Sequence, residues 1–277
     1  MKRRSPASRR IPILLLFLTG TALVFLSINY NKPGNSFLSR LMKPRPATLP
    51  GPPLPKLAII LDDVGGDDST VNEIFTLPNQ ITLAILPNHA RSREIAEQAH
   101  RRGYELMLHL PMESEANESP ETRELRTGMR TREVSRILTE MLLTVPHAAG
   151  VNNHQGSRAT SDAALMQELM PLLRERRLYF IDSRTTRATL AYEVAQRDGV
   201  RSAFRNVPFL DDVHEQATIG QELERAIHGA KEKGQAIVIA HPHPETLEVL
   251  EQMLPQLPAQ GLELVHASAL VHPSANY

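Results

Sequence analysis

Short apolar runs alternate along most of this chain with longer segments of helical character. The runs at 57–61 (LAIIL) and 236–240 (AIVIA) are apolar at every position, as strands are when both faces of a parallel sheet are buried. We therefore expect an α/β fold whose parallel sheet is open or closed into a barrel of about seven or eight strands. The predicted strands are 57–61, 81–86, 104–110, 148–153, 178–182, 205–210, 236–240 and 262–267, with helices near 91–102, 131–145, 162–176, 220–233 and 246–257.

The 277 residues include 31 basic and 31 acidic side chains, but the two signs are separated along the chain. No Asp or Glu precedes Asp62, whereas residues 1–61 contain ten Lys and Arg. Residues 62–277 therefore carry 21 basic against 31 acidic side chains. A domain with that excess of negative charge lacks the basic face that phosphate contacts require, so nucleic acid is excluded as the expected partner.

Residues 11–28 form an uncharged run that follows five basic residues within residues 1–10. A helix of this length spans roughly 27 Å, close to the thickness of a bilayer core. Because positive charge stays inside, the folded domain is expected outside the cytoplasm, in the periplasm or cell envelope. The run is either a transmembrane anchor in the inner membrane or a signal segment that is cleaved to release a secreted domain.

Residues 29–55 have the composition of a linker, with seven prolines and no acidic residue. The sequence thus predicts a basic cytoplasmic segment (1–10), the apolar segment (11–28), the linker (29–55) and a folded domain (56–277). The chain has no cysteine. Any metal site in the domain must therefore be built from histidines and carboxylates.

Carboxylates and imidazoles follow six of the predicted strands. Each has a structural explanation when taken alone, since Asp is common in turns and a single His is often a hydrogen-bonded core residue. In a parallel α/β sheet, however, the carboxyl ends of the strands share one face, and that face holds the site. We therefore expect convergence of Asp62 and Asp63, His109, His154, Asp182 with Arg184, Asp211 with Asp212, and His241 with His243.

One carboxylate and two imidazoles that leave a fourth position for water form a hydrolytic zinc site. The sequence supplies Asp63, His109 and His154 as ligands of a divalent metal, for which Zn²⁺ is the natural choice. Asp62 is then the base that accepts a proton from the water, and His241 is the acid that protonates the leaving group.

Five motifs together resemble the divergent polysaccharide deacetylase family, distant relatives of the NodB-like carbohydrate esterases. The resemblance covers residues 56–271. It implies a distorted (β/α)₇ barrel of the NodB-like glycoside hydrolase/deacetylase type, and hydrolysis of N- or O-acetyl groups on sugar polymers with a divalent metal. The motifs are AIILDDVG (58–65), HLPME (109–113), GVNNHQGSRAT (150–160), FIDSRT (180–185) and IAHPHPETL (239–247).

The first family motif has two adjacent acids, which implies Asp62 as base and Asp63 as ligand. The second motif matches GYELMLH (103–109), but Glu113 stands where a second histidine is usual. The remaining ligand is therefore either Glu113 or His154, and we favour His154.

NNHQGS occupies the place of the usual third motif, which implies Asn152 and Asn153 as oxyanion or substrate donors. Asp182 and Arg184 are expected to contact substrate as well, and the final motif matches at His241.

The function expected from these residues is that of a membrane-tethered, metal-dependent deacetylase acting on an acetylated envelope glycan. Two alternatives stay open. One is a non-catalytic envelope protein that retains the barrel and holds a glycan or a protein partner. The other is metal-dependent hydrolysis of a different amide or ester.

Overall fold

The computed structural model describes residues 53–65, 70–116 and 123–272. The predicted apolar segment at 11–28 lies outside these ranges, as does nearly all of the predicted linker. Within the described ranges, no helix has the length and apolar character needed to cross a membrane.

The strands form one parallel sheet with the order β6-β5-β4-β3-β2-β1-β7, and the short β8 pairs with the first two residues of β1. All of the strand pairs are parallel, as the continuous apolar runs predict. The strands are β1 (Lys56–Val64), β2 (Thr82–Ile85), β3 (Glu105–Met112), β4 (Ala148–Gln155), β5 (Tyr179–Asp182), β6 (Ser202–Phe204), β7 (Gln235–Ala240) and β8 (Glu263–Leu264).

The gap between β6 and β7 is bridged by irregular backbone. The predicted strand at 205–210 does not form, since β6 ends at Phe204 and Pro208 has no N–H to donate to a ladder. Instead, the backbone N–H of Asn206 donates to Ile237 O at 3.3 Å, and that of Leu210 donates to Ile239 O at 3.1 Å. The curled sheet is a distorted α/β barrel, which confirms the predicted fold class.

Helices connect the strands and cover the outside of the sheet. Gly103 and Gly234 adopt left-handed φ angles of +86° and +83° just past two of them, as the sequence predicts. A short helix after β1 and another after β5 were not predicted. The helices in the described ranges are α1 (Val71–Ile74), α2 (Ser92–Arg101), α3 (Thr131–Thr144), α4 (Ala163–Glu175), α5 (Ala191–Arg197), α6 (Gln216–Lys233) and α7 (Pro244–Met253).

The pleat of each strand decides which residues face the barrel interior. In β1, Leu57, Ile59 and Leu61 belong to the large core cluster that includes the helices, whereas Ala58 and Ile60 belong to a separate inner cluster. Successive side chains point to opposite faces, so Asp62 continues the inner row. The same count, starting from the inner residues Met107 in β3 and Ile239 in β7, places His109 and His241 on the inner side.

Gly150 lies in β4 against the buried ring of Tyr179. A Cβ added at Gly150 would lie 2.6 Å from Cδ2 of that ring and closer still to two other ring atoms. The ring cannot easily move, because its hydroxyl donates to Glu105 Oε1 at 2.8 Å. We expect Gly150→Ala to lower the free energy of unfolding by about 1–3 kcal/mol through overpacking, measured by denaturant titration.

Gly229→Ala is the matched control for this prediction. Gly229 lies within α6 with nothing within 4 Å of an added Cβ. Alanine in a helix is favoured over glycine by roughly 0.5–1 kcal/mol, so this variant should be slightly stabilised. An unchanged unfolding free energy in Gly150→Ala would show that the Tyr179 ring leaves room for a side chain at position 150.

Candidate metal centre

Asp63, His109 and His154 bring three ligand atoms together at the carboxyl end of the sheet. His109 Nε2 lies 3.1 Å from Asp63 Oδ1, His154 Nδ1 lies 2.9 Å from the same oxygen, and the two nitrogens are 3.1 Å apart. These are the three residues that the sequence predicts as ligands. Within the described ranges they form one of two groups of His and Asp side chains close enough to hold a metal ion.

The backbone of β1 explains how two adjacent acids serve one site. Neighbouring strand residues normally point to opposite faces, so Asp63 would face the helices if the strand were regular. Asp63 has a φ of +56°, and the pairing of β1 with β2 shifts register between Leu61 and Val64. This irregularity turns Asp63 toward the same space as Asp62, as β-bulges do beside functional sites.

The hydrogen bond at His109 Nδ1 determines which ring nitrogen carries the lone pair. Asn152 Nδ2 donates to Asp62 Oδ1 at 2.7 Å, so Asn152 Oδ1 is the acceptor that faces His109 Nδ1 at 2.8 Å. His109 Nδ1 therefore carries the proton of the neutral ring, and Nε2 is the nitrogen with the lone pair. A partner that fixes a histidine tautomer in this way is characteristic of metal-binding histidines.

The donor atoms fit a divalent cation. Asp63 Oδ1 is buried and no donor reaches it with hydrogen-bond geometry, although two ring nitrogens lie within 3.1 Å. Burial alone would raise the pKa of Asp63, but the imidazoles of His109 and His154 outweigh it and hold that pKa far below its ordinary value. An ionised oxygen and two ring nitrogens that converge without a matching donor are a ligand set for a metal of the zinc type.

Asp62 lies on the buried side of this ligand set. It is 2% exposed, and its Oδ2 is 3.6 Å from His109 Nε2. Burial raises the pKa of Asp62, and the charge of Asp63 adds to that effect, while His109, His241 and the hydrogen bond from Asn152 oppose it. A carboxylate with a raised pKa is the stronger base, which suits the predicted role of Asp62 as proton acceptor.

His241 faces the ligand set from the end of β7. Its Nε2 lies 4.0 Å from Asp63 Oδ2, and its Nδ1 lies 3.0 Å from Asp211 Oδ1. Burial alone would lower the pKa of His241, but the hydrogen bond to Asp211 and the charges of Asp62 and Asp63 raise it to about 9. The imidazole is therefore charged at neutral pH, as a proton donor must be.

Asp211 is a site residue for which the sequence predicts no specific role. Its Oδ2 accepts from the His241 backbone N–H at 2.6 Å and from Thr246 Oγ1 at 3.0 Å, while Oδ1 holds His241 Nδ1. Asp211 with His241 and His243 is the second group with metal-ligand spacing. Because both of its oxygens already accept hydrogen bonds, Asp211 orients His241. The only sequence signal for Asp211 was its place after a predicted strand.

The substrate contacts predicted for Asn152 and Asn153 stay a prediction that the geometry does not favour. Both side chains are at most 1% exposed. Asn152 bridges Asp62 and His109, and Asn153 Nδ2 donates to Gln155 O while its Oδ1 accepts from Ser183 N. Their amide groups are used within the protein, so they orient the site.

The side chains of Asp182 and Arg184 have different environments in the structure. Asp182 is fully buried, faces away from the barrel interior, and accepts hydrogen bonds from Arg184 N, Thr189 Oγ1 and Tyr192 N. It therefore holds the loop after β5, and the substrate contact predicted for Asp182 stays a prediction that this geometry does not favour. Arg184 is exposed with its guanidinium over the Phe204 ring.

Glu113, the alternative third ligand, is engaged elsewhere. Its Oε2 accepts from Thr127 N and Thr127 Oγ1, each at 2.8 Å, and its Oε1 lies 3.4 Å from Arg158 Nη1. These bonds tie the loop before α3 to the end of β3. Of the two alternatives, His154 is the one that lies beside Asp63 and His109.

Comparison with known proteins agrees with this architecture. The sequence profile of the family described as "Divergent polysaccharide deacetylase" matches residues 59–271. The uncharacterized protein YibQ of Escherichia coli K12 is 41% identical over 217 residues, which are 78% of this chain and 67% of that protein.

Two solved structures share the fold. An uncharacterized protein from Agrobacterium tumefaciens C58 is similar with a TM-score of 0.76 and 23% identity, over 80% of this chain and 92% of that one. The catalytic domain of a peptidoglycan N-acetylglucosamine deacetylase from Eubacterium rectale is similar with a TM-score of 0.51 and 13% identity, over 82% and 96% of the two chains. The family profile covers most of the sequence, and the chain therefore belongs to the divergent polysaccharide deacetylase family.

Proposed function

We propose that this protein is a divalent-metal-dependent hydrolase that removes acetyl groups from an envelope glycan. The observation that carries the proposal is the convergence of Asp63, His109 and His154, with Asp62 beside them and His241 facing them. Membership of the family supports the acetylated glycan as substrate. The apolar run at 11–28 supports a location in the cell envelope.

Asp63, His109 and His154 would hold the metal through Oδ1, Nε2 and Nδ1. Lewis-acid activation of water and polarisation of a carbonyl are the chemistry that a divalent metal supplies in such a site. Asp62 accepts the proton of the attacking water at Oδ2, since its Oδ1 is occupied by the hydrogen bond from Asn152. The same hydrogen bond prevents the carboxylate from rotating away.

His241 completes the reaction as the general acid. Cleavage of an acetyl amide or ester expels an amine or an alkoxide, which is a poor leaving group until it is protonated. Asp211 fixes the ring at Nδ1, so Nε2 is the nitrogen that presents its proton toward the metal ligands. Asp62 thus acts as the base and His241 as the acid.

The proposal is tested by acetate release from N- and O-acetylated N-acetylglucosamine oligomers, using the full-length protein before and after removal of its metal. We expect release by the loaded protein, none after chelation, and recovery when Zn²⁺ is restored. Release that persists after complete metal removal would contradict the proposal. A loaded protein that binds the oligomers and releases no acetate would support the non-catalytic alternative.

The pH dependence of kcat should reveal the effect of Asp211 on the pKa of His241. His241 must carry its proton to act as an acid, so kcat should fall as the pH rises through the raised pKa of about 9. Asp211→Asn removes the hydrogen-bonded carboxylate that raises this pKa. We therefore expect the alkaline limb of the kcat profile to move to lower pH, together with a lower maximal kcat.

Asp198→Asn is the control for the pH profile, because Asp198 pairs with Arg197 on the surface away from the metal centre. Its alkaline limb should coincide with that of the wild type. An unshifted limb in Asp211→Asn would exclude His241 as the general acid oriented by Asp211.

A further inference from the structure

A cavity of about 700 Å³ opens where irregular backbone bridges β6 and β7. Its wall includes a group that we call the arginine pocket: Arg184, Arg187, Arg205, Asn206 and Phe209. The Phe209 ring centroid lies 5.7 Å from that of His241, so the cavity adjoins the general acid. A glycan with its acetyl group at the metal centre has room here for a neighbouring sugar.

The aromatic rings of this region are covered by guanidinium groups. Arg205 lies over the Phe209 ring at 3.9 Å, and Arg184 lies over the Phe204 ring at 3.4 Å. Arg205 is also held by hydrogen bonds to three backbone oxygens, those of Ser183, Val207 and Arg184, at 2.8, 2.6 and 2.9 Å. The covered ring faces are not available to stack on a neutral sugar, and the guanidinium groups that cover them are positively charged.

The arginines of the cavity wall outnumber its carboxylates by three to two. Among the described residues, no carboxylate forms an ion pair with Arg184, Arg187 or Arg205, although Asp212 and Glu193 also line the cavity. Burial lowers the pKa of Arg205, and the charge of Arg184 lowers it further, whereas Asp212, with a larger effect than Arg184, and also Asp182 and Asp62 raise it. Guanidinium groups that have no ion-pair partner and line one cavity favour the binding of an anion there.

We propose that the arginine pocket binds an acidic group of the substrate, a carboxylate or a phosphate on a sugar next to the acetylated one. The substrate class is then an anionic glycan. This inference rests on the proposed function, because it takes the metal centre as the position of the acetyl group. Arg184 and Arg187 contact the acidic group, and Arg205 supplies additional charge from its fixed position.

The test compares three N-acetylglucosamine tetramers of equal length: the neutral tetramer, one oxidised at C6 to carboxylates, and one phosphorylated at C6. Acetate release gives kcat and KM with the full-length wild type. Calorimetric binding is measured separately with Asp62→Asn, so affinity is known even if nothing is hydrolysed. The pocket variants are Arg184→Gln, Arg187→Gln and the double variant. Arg132→Gln is the control, since it removes one exposed charge from α3 outside the arginine pocket.

We expect at least one acidic tetramer to bind about tenfold more tightly than the neutral one, the difference made by one charge-assisted hydrogen bond. The preference should appear in KM rather than in kcat. It should disappear in the double variant, persist in Arg132→Gln and weaken at high salt. The better of the two acidic tetramers identifies the acidic group.

Equal affinity for all three tetramers, or a preference that survives in the double variant, would overturn the inference. Either result leaves the proposed function intact if acetate is still released. Conversely, an acidic preference in binding without any acetate release would support the pocket and contradict the proposed hydrolysis.

Discussion

Asp62→Asn should lower kcat for acetate release by about 10²–10⁴-fold, the usual contribution of a positioned general base. The amide has nearly the shape of the carboxylate, and its oxygen can still accept the hydrogen bond from Asn152 Nδ2. It cannot accept a proton from water at neutral pH. The variant should therefore fold and hold its metal as the wild type does, which a melting curve and metal analysis by mass spectrometry would check.

Asp63→Asn is the informative comparison, since it alters the adjacent carboxylate. Asp63 supplies a ligand oxygen, so this variant should lose metal and activity together. The expected contrast is a loaded, inactive Asp62→Asn and an unloaded, inactive Asp63→Asn. If Asp62→Asn keeps its activity within tenfold of the wild type while fully loaded, Asp62 is not the base.

His109→Ala should produce a large loss of metal affinity. The variant removes one of three ligand atoms from a site where His109 is 2% exposed. Removing a partner that only orients a ligand typically costs 10–100-fold in affinity, so loss of the ligand itself should exceed that range. Metal affinity is measured by competition with a chromogenic chelator, and acetate release should fall with it.

Three further variants test whether the loss of metal affinity is specific to the removal of the His109 ligand atom. Asn152→Ala should weaken the metal by about 10–100-fold, because Asn152 fixes the tautomer and the orientation of His109. His109→Gln retains bulk and a polar tip should the alanine variant fail to fold. His147→Ala removes an exposed imidazole that stacks on His100, and its metal affinity should match that of the wild type. Full metal affinity in a folded His109→Gln would argue against His109 as a ligand.

The strands were predictable because both faces of the sheet are buried. That burial leaves runs such as LAIIL at β1 and AIVIA at β7, and residues at the ends of such runs must meet at one edge. The pattern does not reveal a local break in the pleat. The left-handed Asp63 brings two adjacent acids to one side, and nothing in DDVG distinguishes this from an ordinary strand end.

The alternation of side chains along β5 is enough to predict the direction in which Asp182 points. Tyr179 and Ile181 belong to the inner cluster, whereas Phe180 belongs to the outer one. Asp182 must therefore point outward, away from the metal centre.

The role of Asp211 is a different case, because it depends on contacts between β7 and a segment that forms no ladder. A segment that forms no regular strand pairing shows no alternation of apolar residues, so its contacts could not be predicted from the sequence.

We propose that Asp63, His109 and His154 hold a divalent metal. Metal content per chain, measured in the full-length wild type, His154→Ala and Glu113→Gln, tests it most directly. Glu113→Gln is the matched comparison because Glu113 occupies the alternative ligand position and binds Thr127 instead. We predict one equivalent in the wild type and in Glu113→Gln, and a clear loss in His154→Ala. A wild type that takes up no divalent metal, or loss of metal in Glu113→Gln with retention in His154→Ala, would contradict the claim.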